Sequence, residues 1–395
     1  VAIVCDYLEE KWASMDLVAE MIEGHLARDH AAEVQVTRIR PAFRNRAQRV
    51  PLASAKPVAR QADLLLNRFA DYPWTMRRIA RRRDIDLFHI VDHSYAQLVH
   101  VLPRDRTLVT CHDLDTFRCL LAPEIEPRPA WFRAMTRHTM NGFRRAGAVA
   151  CDSEATRAAI VRHGLVAEER LTTVHLGTHP ECTPEPDPKG DARATALLGP
   201  RDPERPELLH VGSNIPRKRV DVLLETFAGV RRQIPGARLV KVGGALDGQL
   251  ADQARTLGIT DAIATLPFLS PAALAALYRR ASLVLQPSDA EGFGLPLAEA
   301  MACGAPLLVS GIPVLREIAG DAAAYAQVGD VPAWTAMALR VLDEVRTSSE
   351  PWRRRRALGL ERARLFHWST HTDHLVAIYR DLYERARAGA PDAST

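Results

Sequence analysis

The sequence is poor in lysine, has no paired-cysteine motif and contains no long apolar run. Only five of its 52 basic residues are lysine (Lys11, Lys56, Lys189, Lys218 and Lys241), and the other 47 are arginine. We read this as composition bias, which makes the position of each lysine informative. No apolar stretch approaches the roughly 18 residues of a membrane-spanning helix. The six cysteines (Cys5, Cys111, Cys119, Cys151, Cys182 and Cys303) form no C-x-x-C pair, so a zinc knuckle or dithiol redox motif is excluded. Several lie in apolar runs, where cysteine behaves as a small hydrophobe. No basic segment precedes an apolar core at the start. The expectation is a cytoplasmic protein, peripheral at most at the inner face of the membrane. No solenoid repeat is present. The charge balance, 52 basic against 48 acidic residues or +4, is too even to signal nucleic acid.

The chain has 395 residues, of which 47% are hydrophobic and 25% charged. These are ordinary globular values, and at about 150 residues per domain they suggest two domains, or at most three. Short apolar runs alternate with amphipathic stretches. Strand candidates are 1–7, 32–39, 87–92, 106–113, 148–153 and 171–177, then 207–213, 237–243, 263–268, 282–287, 306–310 and 323–328. Helix-period stretches such as Asp16 to Asp29 and Asp221 to Gln233 fall between most of them. Such alternation predicts α/β architecture with parallel sheets covered on both faces.

One polar, proline-rich stretch interrupts the pattern at 179–206 and reads as a surface connection. The predicted organisation is an N-terminal Rossmann-like domain over 1–178 and a C-terminal one over 207–370. A C-terminal helix and tail, 371–395, complete the chain, with the helix expected to pack back on the N-terminal domain. Two doubly wound domains facing each other would form a cleft at the strand ends, a favoured small-molecule site. The last residues, AGAPDAST, read as a frayed tail. A basic stretch between Arg38 and Arg83 includes Arg44, Arg46, Arg49, Arg60, Arg77, Arg78, Arg81, Arg82 and Arg83, with Phe69, Tyr72 and Trp74 among them. It suits a solvated face, and also contact with an anionic membrane surface or charged acceptor.

The most informative segment is Gln286 to Gly304, QPSDAEGFGLPLAEAMACG. A Gly-rich turn, Glu291-Gly292-Phe293-Gly294, follows a buried strand. Pro296 suits the first position of a helix and Gly304 its end. The free N–H groups of that helix offer a phosphate or diphosphate site. Glu291 and Glu299, spaced E-x7-E, are placed before the helix and in its first turn. Carboxylates repel phosphate but accept hydrogen bonds from vicinal hydroxyls, as in ribose or a hexose. A nucleoside-diphosphate sugar presents both groups. Taken singly, Glu299 reads as complementing the helix dipole and Glu291 as a turn residue; the whole pattern favours the ligand reading.

The second segment is His210 to Leu224, HVGSNIPRKRVDVLL. A strand ends near Gly212, and Arg217 and Lys218 lie in the loop before a helix. Together they can neutralise a diphosphate leaving group. The third is Thr107 to Asp115, TLVTCHDLD, where His112 and Asp113 follow a buried strand. An earlier rim segment, Val91-Asp92-His93-Ser94-Tyr95, is placed to line an acceptor side. A lone histidine is more often structural than functional, and by spacing alone His112 and the rim segment both read that way.

Together these segments resemble the retaining nucleotide-sugar glycosyltransferases of family 4, which have the GT-B fold. EGFGLPLAEAMACG is similar to that family's E-x7-E signature, and GSNIPRKRVDVLLE to its phosphate loop. CDSEATRAAI, VHLGTHP, VGDVPAW and SGIPVLREIAGDAA are similar to further family runs. The resemblance implies that Glu299 holds the donor ribose and that Glu291 contacts the transferred sugar. The backbone of Phe293, Gly294 and Leu295 would meet sugar and diphosphate. Arg217 and Lys218 would stabilise the leaving group, with Gly212 and Ser213 beside them. His112 would contact the sugar from the first domain. The base would lie near Val242, Gly243 and Pro267-Phe268-Leu269. No metal and no cofactor beyond the nucleotide-sugar substrate is implied. The implied chemistry is same-face attack, with the leaving phosphate helping to deprotonate the acceptor hydroxyl.

Two departures from the family pattern bear on these roles. The glycine pair that many members carry after the first strand is replaced by the glycine-free Tyr7 to Ser14, where Trp12 suits either a sugar-stacking wall or packing. Ser213 stands where many members have arginine. Trp12, Asp113 and Tyr95 are the acceptor-side candidates. The leading expectation is a hexosyltransferase using a glucose- or mannose-type donor and a glycan, lipid-linked or small-metabolite hydroxyl. An epimerase or hydrolase of the same fold, or an inactive scaffold subunit, are the alternatives. A phosphorylase is disfavoured because no lysine follows Lys241 to carry a pyridoxal group.

Overall fold

The computed structural model describes residues 1–47 and 57–388. Arg49 of the basic stretch and the tail from 389 lie outside the described residues. The chain divides into two compact units: Val1–Leu176 together with the segment from Trp368, and Gly177–His367.

Each unit is built on a six-stranded, wholly parallel sheet. The first contains β1 (Ala2–Val4), β2 (Thr37–Ile39), β3 (Phe88–Ile90), β4 (Thr107–Cys111), β5 (Ala148–Cys151) and β6 (Leu171–Thr173), in the order β2-β1-β3-β4-β5-β6. The second contains β7 (Glu207–Val211), β8 (Arg238–Val242), β9 (Ile263–Leu266), β10 (Leu283–Gln286), β11 (Leu307–Ser310) and β12 (Ala324–Ala326), in the order β12-β11-β10-β7-β8-β9. All twelve strands among the described residues fall inside the predicted apolar runs. They read locally because a strand covered on both faces must be apolar at successive positions. Strands β4 and β10 are buried from end to end.

The order reverses between β1 and β3 in the first sheet, and between β7 and β10 in the second. Loops leaving the two strands at such a point diverge and open a crevice at their carboxyl ends. Both units therefore hold a ready position for a ligand, and the informative sequence segments begin there.

The proline-rich 179–206 stretch is not only a connection. Pro188–Leu198 forms a helix. Asp187 caps it by accepting from Lys189 N and Gly190 N at 3.2 and 2.9 Å, Pro188 occupies its first turn, and Gly199 ends it at φ 77°. Proline at a helix start and glycine just past its end are helix signals, which the density of proline and charge masks. Arg279 anchors this helix through Asp191 at 2.7 Å. The Trp368–Ala388 helix belongs to the first unit: Tyr379 OH lies 2.7 Å from His89 Nδ1, and His371 Nδ1 lies 2.9 Å from the His175 carbonyl.

The arginine-rich stretch splits by environment. Arg44 and Arg46 pair with Asp71, Arg60 donates to the Glu9 carbonyl, and Arg68 is drawn inward against Glu10 and the Tyr95 ring. Arg77, Arg78, Arg81, Arg82 and Arg83 are exposed.

Candidate functional site

In the second unit, β7 runs into the 3-10 turn Pro216–Lys218, and Arg219 turns the chain at φ 47° into the Val220–Gln233 helix. This carries Arg217 and Lys218 to the carboxyl end of β7. From the neighbouring β10, the chain passes through Glu291 to Gly294 and enters the Leu295–Ala302 helix. Gly294 stands at φ 88°, and its carbonyl accepts from Leu297 N and Ala298 N. A Cβ there would lie 2.8 Å from the Leu315 side chain. At the far end Gly304 N donates to Met301 O and Ala305 N to Ala300 O, a Schellman closure.

Two details differ from the sequence expectation. Leu295, not Pro296, is the first helical residue, because Gly294 itself caps the helix. Glu299 is the fifth residue, beyond the first turn, and it is buried. Its role is therefore not to complement the exposed helix terminus.

Glu291 is the centre of the site. Its Oε1 accepts from Lys218 Nζ at 2.6 Å, Gln286 Nε2 at 2.7 Å and Ser288 Oγ at 2.7 Å, while Oε2 accepts from Arg217 Nη1 at 3.0 Å. Burial by itself would raise this carboxyl, but the Lys218 ammonium and the Arg217 guanidinium outweigh it and hold the pKa at about 2. The carboxylate is thus fixed in charge and place, and it fixes both cations. The sequence expectation made Glu291 a sugar contact, whereas here its oxygens are already engaged by these four donors.

Glu299 is the opposite case. Burial raises its pKa to about 7, and the Tyr278 hydroxyl, donating at 3.1 Å, offsets this only in part. A carboxyl so poorly compensated has acceptor capacity left for a ligand hydroxyl.

Four further groups were missed or left without a role by the sequence reading. Gln286 and Ser288 lie close to Glu291 in sequence, so a donor-rich turn was a legible signal. Tyr278 lies a helix away and gave no local signal. Lys241, buried in β8, points its Nζ at the carbonyls of Gly244 and Gly212, at 3.0 and 3.3 Å. It ties the ends of β7 and β8 together, and burial lowers its pKa. Gly243 closes the same corner at φ 110°, where a Cβ would lie 2.4 Å from the Gly212 carbonyl oxygen. Gly212 and Ser213 lie beside this corner, Phe293 is buried against Phe366, Leu295 is half-buried, and Phe268 is 61% exposed.

In the first unit, the β1/β3 crevice holds a buried polar cluster. Asp6 follows β1, Asp92 follows β3, His112 follows β4 and Asp152 follows β5. His112 is engaged on both sides, with Nδ1 2.6 Å from Asp152 Oδ2 and Nε2 2.7 Å from the Val91 carbonyl. Burial opposes its charged form, but Asp152 raises its pKa to about 9. This differs from the expected sugar-facing imidazole, since both ring nitrogens are committed inside the unit. Burial and the facing Asp92 carboxylate push the Asp6 carboxyl well up.

Tyr95 is buried and donates to Glu10 Oε1 at 2.6 Å. Its hydroxyl therefore secures the glycine-free loop rather than lining a surface. Trp12 is half exposed, and Asp113 lies 3.8 Å from His93 Nε2.

Comparison with known proteins agrees with this architecture. Residues 17–181 match the family model described as Glycosyltransferase Family 4, and residues 199–350 match Glycosyl transferases group 1. A D-inositol 3-phosphate glycosyltransferase of Segniliparus rotundus is 36% identical over 204 residues, 49% of this chain and 43% of that protein. The match thus spans under half the length of that relative. The O-antigen chain mannosyltransferase B of Escherichia coli is 27% identical over 76% of this chain and 77% of its own. Among solved structures, sucrose-phosphate synthase from Thermosynechococcus elongatus superposes with a TM-score of 0.73 at 21% identity, covering 97% of this chain and 99% of that one. Anabaena HepE, solved with UDP and glucose, gives 0.69 at 17% identity, covering 96% and 99%. Those structural likenesses speak for the fold alone. With both units matched to family models, the chain belongs to the family 4-type glycosyltransferases of GT-B fold.

Proposed function

We propose that the protein transfers a hexose, of glucose or mannose type, from a nucleoside-diphosphate sugar to an acceptor hydroxyl, with retention of configuration and without a metal ion. The observation that carries this reading is the convergence of Arg217, Lys218 and the N-terminus of the Leu295–Ala302 helix, which no side chain caps, at the β7/β10 crevice. Two fixed cations and a helix N-terminus supply the charge stabilisation that a departing diphosphate needs. They are held in place before any ligand arrives, so no reorganisation is required when charge develops.

In this reading Glu299 accepts from the donor ribose hydroxyls, and the backbone of Phe293, Gly294 and Leu295 approaches sugar and diphosphate. Gly243 and Phe268 border the base. Glu291 acts mainly by positioning the cations. His112 acts in the first unit as a charged positioning group, with Trp12 and Asp113 on the acceptor side. As the sugar–phosphate bond breaks, the leaving phosphate takes the acceptor's proton and the acceptor oxygen attacks from the same face. By their names, two relatives act on an inositol phosphate and on an O-antigen chain. A phosphorylated cyclitol and a growing glycan are therefore the first acceptors to try.

The test is a binding titration of the purified protein with UDP, GDP, ADP and dTDP, with Glu299→Ala as control. Selective binding of one nucleotide, lost in the variant, is expected. Absence of binding to all four would overturn the donor assignment.

A further inference from the structure

The first unit carries a helical run with an unusually one-sided surface. The Pro57–Leu66 helix passes through a π-helical turn, Asn67–Asp71, into the Tyr72–Ile79 helix without a break. Its inner face is buried through Ala59, Asp63, Asn67, Tyr72 and Met76. Its outer face exposes Val58 by 75%, Leu66 by 46% and Trp74 by 51%. From Trp74, Arg77 and Arg78 follow at spacings of three and four, which is one helix face, and Arg81 lies in the turn just past the helix end. Arg82 and Arg83 follow in the connection beyond the helix, and all five arginines are exposed.

No carboxylate of this run offsets that charge. Asp63 is buried and accepts from the backbone of Arg46 and Ala47, and Asp71 is occupied by Arg44 and Arg46. Beyond the run, Asp84 pairs with Arg82 alone among the five. The Arg78 guanidinium lies 4.7 Å from the Trp74 ring centroid, so charge and apolar surface sit on one spot. The whole chain carries only +4, so this density is local and not a general property of the surface.

We propose that this face docks on an anionic lipid surface. Val58, Leu66 and Trp74 enter the boundary between headgroups and acyl chains, and Arg77, Arg78 and Arg81 engage lipid phosphates. Charge alone would suit any polyanion. The exposed apolar side chains along the same helical run have no use against a soluble polyanion, but they gain by leaving water at a bilayer surface. The inference does not depend on the nucleotide-sugar reading, since none of these residues belongs to the β7/β10 site.

The test is co-sedimentation of the full chain with vesicles of phosphatidylcholine alone, and with about one third phosphatidylglycerol, at low and high salt. Binding to the anionic vesicles only, weakened by salt, is expected. The triple variant R77E/R78E/R81E should lower apparent affinity about tenfold or more, and Trp74→Ala should lower it less steeply. Unchanged circular dichroism and unchanged nucleotide titration would establish that both variants remain folded. Failure to bind anionic vesicles, equal binding by the triple variant, or capture of soluble polyphosphate in preference to vesicles would each overturn the proposal.

Discussion

Lys218 Nζ lies 2.6 Å from Glu291 Oε1, joining the loop after β7 to the loop after β10 across the point where the sheet order reverses. The pair is buried, with side-chain exposures of 11% and 5%. Removing one member of such a pair leaves a charge with too few partners. Arg217, on the same carboxylate, makes the arrangement a triad.

Lys218→Ala is expected to weaken donor use about tenfold or more, which is about 1.4 kcal/mol in transition-state free energy. Its stability effect should couple to that of Glu291→Ala by about 1 kcal/mol or more in a double-mutant cycle. Urea unfolding of the two single variants and the double variant measures this. Additivity of the two losses would mean that the contact contributes nothing.

Glu299 makes the protein sensitive to pH near neutrality. Its carboxyl is raised from an ordinary 4.5 to about 7 by burial. A raised folded pKa adds stability that is complete below the ordinary value and is lost as pH climbs through the folded value. The ligand-free protein should therefore lose about 3 kcal/mol relative to Glu299→Gln between those two pH values. Nucleotide affinity should run the other way, tightening as the carboxylate forms. Melting temperatures and titrations of both proteins across about pH 4 to 8, which brackets that shift, check this. A flat difference between wild type and variant would remove the titration from Glu299.

Charge stabilisation by Arg217, Lys218 and a helix N-terminus predicts turnover that is undiminished in EDTA. Initial rates with and without chelator, once the donor is known, decide it. Loss of turnover that magnesium restores would contradict the mechanism.

Gly243→Ala should destabilise the second unit. The new Cβ would meet the Gly212 carbonyl oxygen at 2.4 Å, on backbone held at φ 110°. Strained backbone of this kind costs about 1–3 kcal/mol. A urea midpoint equal to that of wild type would indicate that the corner relaxes without cost.

The twelve strands, the helix from 295 to 302 and its glycine stop were legible in the sequence because each depends on neighbours in the chain. Burial on two faces demands an apolar run, and a helix end demands residues of particular backbone freedom. The E-x7-E spacing likewise identified Glu291 and Glu299 as a candidate pair. Even locally, competing signals hid one element: the density of proline and charge around Asp187 obscured the cap that starts the Pro188–Leu198 helix.

The tertiary structure decided what those side chains touch. Glu291 meets cations 73 and 74 residues away, and Tyr95 reaches Glu10 across 85. Tyr278, on another helix, donates to Glu299. His112 came to the expected strand end, but with both ring nitrogens spent on Asp152 and Val91. Hydrogen bonds and ion pairs act over about 3 Å, so their partners follow from strand order and loop placement, which no local period encodes. Sequence thus determined which chemical groups are present and at which strand ends they emerge. Only the fold determined which of them are already committed to one another and which retain capacity for a ligand.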